Sequence, residues 1–127
     1  QFYNGVYKFS GASADGVGAG RSNTAILVAS QMPDNALGNF AAKVCLDYSP
    51  TVGGVKYGDW YLPSKFELNL LYLQRGLVGN FVTDARYLCS TEFDDTFANI
   101  QIFGAAGTQA QSDKASTTRY VRPIRAF

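Results

Sequence analysis

Any chemistry done by this chain has to be done without histidine. That absence removes imidazole acid–base relays, Ser-His-Asp and Cys-His nucleophile pairs, and the commonest zinc and copper ligands. Ser90 and Thr91 are left with no base to activate them, so no catalytic residue is assigned and binding is the expected activity. Glu92, Asp94 and Asp95 offer clustered carboxylate oxygens of the kind calcium takes, but the run is short and reads as a solvated turn. No metal and no other cofactor is expected. The Gly16-Val17-Gly18-Ala19-Gly20 run could cradle an anion on backbone donors. It lacks phosphate-loop spacing and the Lys-Ser that follows such a loop, and reads as a plain loop. Cys45 and Cys89 lie far apart and match no metal or redox motif, leaving two readings open: one bridge or two buried thiols.

Cations are the remaining chemical resource. Eleven Lys and Arg stand against ten Asp and Glu, a net charge of +1, too small to steer a polyanion by the overall field. Nucleic acid is therefore not an expected partner, and an anion site has to be a local patch. Arg122 and Arg125 occupy a β-rich terminal run, where an odd separation sends them to opposite faces. Pairing with a carboxylate such as Asp59, Glu67 or Glu92 is expected of them. Trp60 and the tyrosines could stack on sugar rings, but Trp60 immediately precedes a helix and is expected to pack in the core.

The elements that must position these groups follow from periodicity and punctuation. At 127 residues, with 46% hydrophobic and 14% aromatic content, the chain is expected to be one folded domain over 1–127. Residues 2–9 read as an aromatic strand, and Thr24 to Ala29 as a buried strand. From Asp34, Leu37, Phe40, Ala41, Val44, Cys45 and Tyr48 recur at helical spacing, and Ser49-Pro50 stops that helix. Ser64 with Glu67 forms a capping box that starts a second helix near Lys65, expected to be largely buried and to stop at Gly76. Runs over 86–91, 97–103 and 119–127 read as strands, with 104–118 as a small polar stretch between them. Two helices and an antiparallel meander make an α+β domain. No apolar run approaches the ~20 residues needed to span a bilayer, so no membrane insertion is expected. Gln1 opens without a signal-like stretch, so any targeting segment is expected to have been removed or to lie upstream.

Three blocks together form an ordered signature. They are Gly58-Asp59-Trp60-Tyr61-Leu62-Pro63-Ser64-Lys65-Phe66-Glu67-Leu68, then Tyr87-Leu88-Cys89-Ser90-Thr91-Glu92, then Tyr120-Val121-Arg122-Pro123-Ile124-Arg125-Ala126-Phe127. Asn23-Thr24 and Ala41-Ala42 with Cys45 match weaker upstream blocks. The signature resembles the bacterial surface-domain family named after the C-terminal domain of the Legionella collagen-like protein. One departure is Tyr87-Leu88-Cys89-Ser90, where that family often carries an aromatic-Trp-Ser-Ser run. The resemblance implies a C-type-lectin-like fold with two helices packed on antiparallel sheets. It also implies a secreted or cell-surface homotrimer at the tip of a collagen-like stalk, binding sulfated host glycosaminoglycans. A protein-binding or phage-receptor-type recognition domain and, more distantly, a lectin-fold enzyme are the alternatives. For a sulfated chain, Lys114 and Arg119 are the leading contacts, because they bracket a small polar loop (Ala115 to Thr118) that a long ligand can approach closely. Lys56, Lys43, Arg75 and Arg86 rank behind them. Several such cations must act together, since each exposed contact is weak.

Overall fold

The computed structural model describes residues 1–126. Its helices are α1 (Ala19–Gln31), α2 (Ala41–Asp47), α3 (Lys65–Leu73) and α4 (Arg75–Val78), with a 3-10 turn at Met32–Asp34. Strands β1 (Thr51–Val52) and β2 (Val55–Lys56) form a small hairpin, while β3 (Arg86–Glu92), β4 (Phe97–Ile102) and β5 (Gln109–Asp113) form a three-stranded antiparallel sheet in that order. The class is α+β.

The sheet separates two cores, as the two-residue period of a strand requires. Leu88, Ala98 and Ile100 face a cluster with Phe2, Leu27, Phe40, Ala41, Ala42, Cys45 and Leu62. Tyr87 and Cys89 face the other way, against Leu68, Tyr72 and Phe103. Helices α1 and α2 thus cover one side of the sheet, and α3 the other.

The strand expected over Thr24 to Ala29 is instead the middle of α1. Its buried residues, Gly20, Asn23, Thr24, Leu27 and Gln31, recur at helical spacing, but most are polar and escape an apolar period. Asn23 Nδ2 donates to the Ala14 carbonyl (2.7 Å), and Thr24 Oγ1 donates to the Gly20 carbonyl (2.7 Å) while accepting from Leu62 N–H (3.0 Å). The helix expected from Asp34 begins only at Ala41, and Leu37 is 98% exposed. Asn4 Nδ2 donates to the Asn35 and Gln31 carbonyls, both at 2.8 Å, and so ties down both ends of the 3-10 turn that precedes the delayed helix start. That helix does stop at Tyr48, ahead of Ser49-Pro50.

Helix α3 starts at Lys65, with both halves of the capping box formed. It breaks at Gln74 and resumes as α4, whose cap is Gly79 rather than Gly76. Only Glu67, Leu68 and Tyr72 are buried on it; Phe66, Leu70 and Leu73 are exposed, which corrects the expectation of a largely buried helix. Strands β3 and β4 lie where expected, and β5 is an addition within the stretch expected to be loop. The 119–127 run pairs only at single residues, Tyr120 with Tyr87 and Ile124 with Tyr61, because Pro123 has no N–H to continue a ladder. Phe127, the end of that run, lies outside the described residues. The aromatic run at 2–9 forms no strand; Phe2 plugs the core and its N–H donates to the Lys114 carbonyl (2.9 Å).

Candidate anion-binding site

Lys114 is not a surface cation. It is 1% exposed, and its ammonium donates to Glu92 Oε1 (2.9 Å) and to the Lys8 carbonyl (2.8 Å). The other oxygen of Glu92 accepts from Ser10 N–H (2.9 Å) and Ser10 Oγ (2.8 Å). Lys114 follows β5 directly, and its own N–H is tied to the Thr96 carbonyl (3.0 Å), so the side chain turns inward instead of toward the 115–118 loop. Lys43 is half-buried and paired with Asp47 one turn along α2. Lys56 stands exposed on the β1–β2 hairpin. Arg75 lies flat on the Tyr72 ring, 3.9 Å from its centroid, and donates to the Tyr72 carbonyl (2.8 Å). No hydrogen bond or ring contact brings these last three together.

The backbone segments that carry Arg119 and Arg86 are brought together. The chain returns alongside β3 in parallel, with Tyr120 N–H donating to the Arg86 carbonyl and Leu88 N–H donating to the Tyr120 carbonyl, both at 2.9 Å. Tyr120 is thereby paired with Tyr87 in a single bridge, and the Arg119 side chain reaches toward β5. Arg119 is steadied by Ser112 Oγ and Thr118 Oγ1, each 2.8 Å from a guanidinium nitrogen. Neither arginine forms an ion pair among the described residues.

A second feature was not foreseen. Leu70, Leu71, Gln74 and Val78 on one side and Arg122, Pro123, Ile124 and Arg125 on the other enclose a groove of about 530 Å³, with Trp60 at its edge. Arg122 donates to the Asn80 carbonyl (3.1 Å) and stacks 4.6 Å from the centroid of Phe81. Arg125 grips Asp59 through two nitrogens at 2.9 and 3.1 Å, over the Tyr57 ring. The Asp59 partner is as expected for Arg125, but Arg122 pairs with no carboxylate among the described residues, and both arginines line one groove because the segment is not a regular strand. Trp60 is only half-buried. One edge packs on Tyr48 at 5.0 Å and its Nε1–H donates to the Tyr57 carbonyl (3.1 Å), while the indole also walls the groove. The apolar pair Pro123-Ile124 between two arginines was the signal for it.

Both cysteines are free, which removes the bridge. They lie in different clusters, Cys45 on the α1–α2 side of the sheet and Cys89 on the α3 side. Burial pushes each thiol up to about 12. Ser90 Oγ donates to the Pro63 carbonyl (3.1 Å). Asp94 accepts from the N–H groups of Thr96 (2.9 Å) and Phe97 (2.6 Å), so it caps a turn. Among the described residues no group of three or more His, Cys, Asp or Glu could hold a metal ion, and no helix is long and apolar enough to cross a membrane. Comparison with protein-family models finds no match for this chain, and no curated protein matches it either.

Proposed function

We propose that this domain is an extracellular bacterial adhesin module, a C-type-lectin-like variant that binds sulfated glycosaminoglycans as a homotrimer. The observation that carries the reading is that Arg86 and Arg119, carried on segments bridged at Tyr87 and Tyr120, form no ion pair with a carboxylate among the described residues. A guanidinium fork meets sulfate-type oxygens with two parallel hydrogen bonds, which an ammonium does not. Lys56 and Arg75 add exposed or half-exposed charge elsewhere on the surface and are secondary contacts. Lys114 leaves the set; its role is to fix the loop that carries Arg119. One patch offers few contacts, so a long polymer spanning three patches gains by effective concentration.

The test is retention on immobilised heparin of Arg86→Glu with Arg119→Glu at two salt concentrations, with the fold verified by circular dichroism. Binding about tenfold weaker or worse is expected of the double variant, and binding by the parent should fall as salt rises. Undiminished binding by the folded variant removes this patch, and salt-independent binding by the parent removes the electrostatic mechanism.

A further inference from the structure

The 530 Å³ groove has a composition that a sulfated sugar does not require. Leu70, Leu71, Val78, Pro123 and Ile124 make its walls, and guanidinium groups stand at Arg122 and Arg125. Next to it, Leu73 is exposed and Leu77 is 87% exposed, which enlarges an apolar surface of the kind that marks protein contacts. The matching shape occurs on this same chain. In the turn between β3 and β4, Phe93 is 56% exposed beside Asp94 and Asp95. That turn is rigid: the N–H groups of Phe93 (3.1 Å) and Asp94 (3.2 Å) both donate to the Phe97 carbonyl, and the Asp94 carboxylate caps it. It presents one aromatic ring with the exposed carboxylate of Asp95 at its side, which accepts from Thr96 Oγ1 (3.1 Å) and forms no ion pair among the described residues.

Phe93 does not line the groove of its own molecule, whose α3 and α4 wall runs from Glu67 to Val78. We propose that the groove receives the Phe93–Asp95 turn of a second copy of this chain, the ring entering between the Leu and Ile walls and the carboxylate meeting Arg122. Such a contact is head to tail, and repetition of it closes into a ring when the rotation per copy allows. The contact rests on the trimer reading above and deepens it by naming its interface.

The experiment is sedimentation equilibrium of the parent and of Phe93→Ser, Asp95→Arg, Arg122→Glu and the paired Asp95→Arg with Arg122→Glu. Phe93 and Asp95 are solvent-exposed, so these variants keep the monomer fold, checked by circular dichroism. The parent is expected to be a trimer, and Phe93→Ser should weaken assembly about thirtyfold or more, as loss of a central aromatic anchor does. Each charge reversal weakens it, and the paired reversal recovers at least part of the loss. A trimer that persists in every variant overturns the interface while the trimer stands. A parent that is monomeric at every concentration reached overturns both.

Discussion

Glu67 and Glu92 are both buried, and together they hold the two ends of the 10–20 segment, yet different partners satisfy them. Glu67 accepts from Gly18 N–H (2.7 Å), Gly20 N–H (3.1 Å) and Ser64 N–H (2.8 Å), and meets no cation. A single carboxylate thereby caps the starts of both α1 and α3, where the helix macrodipoles favour negative charge. Glu92 instead takes the ammonium of Lys114 and the amide and hydroxyl of Ser10. Backbone donors are dispersed partial charges that the chain has to place somewhere in any case. An ammonium is a whole charge whose burial is tolerated only opposite its partner. The first arrangement loses capacity gradually when altered; the second fails when either half is removed.

The largest expected effect separates the two directly. Lys114→Ala strands a buried carboxylate and should cost about 3–5 kcal/mol in urea denaturation. The pair Glu92→Leu with Lys114→Met should cost clearly less than the two single changes added together. A Lys114→Ala loss no larger than that of a surface substitution would collapse the distinction. Glu67→Ala comes next, at about 2–3 kcal/mol, because three N–H donors lose an acceptor. Glu67→Gln should recover part of this, since its amide oxygen still serves one donor, and thermal melts of the two variants give the ordering.

Gly20→Ala sharpens the Glu67 side. A Cβ there would lie 2.7 Å from both the Leu62 carbonyl and Ser64 N, and would also strike Glu67 Oε2. An overpacking loss of about 1–3 kcal/mol is expected, and it should shrink in a Glu67→Ala background because one obstacle is gone. The smallest effect lies near Lys114. Tyr7 hydroxyl donates to Asp113 Oδ1 (2.7 Å), and this bond, with the Ala115 N–H, holds the Asp113 carboxyl below its ordinary value. A depressed carboxyl contributes stability above its unfolded pKa, and that contribution is lost as pH falls through the folded value. In Tyr7→Phe, an NMR titration of Asp113 should move back toward 3.8, the ordinary carboxyl value, with little change in stability at neutral pH.

Local rules read some of this molecule correctly from residue order alone. The capping box at Ser64 and Glu67 lies within four consecutive positions, so its hydrogen bonds form wherever that helix starts. Pro50 ends α2 by lacking an N–H, and the β-rich runs over 86–91 and 97–103 mark strands, each buried on both faces by different clusters. Where the buried face is polar, as in α1, periodicity of apolar residues reports nothing. The Asn23 and Thr24 contacts that stabilise that face come from Ala14 and Leu62.

The candidate site shows the same division. That any anion site has to be a local patch follows from the net charge. Which cations are available was decided only by tertiary structure. Lys114 and Arg119 are five positions apart and chemically similar in sequence, but one folds inward onto Glu92, 22 residues away, while the other stays at the surface. The segment after Arg119 meets β3 because Tyr120 returns parallel to it, a pairing between distant segments that no short-range pattern encodes. A charge written in sequence has a sign and a spacing, whereas its solvation and its neighbours depend on which segment the chain packs against it.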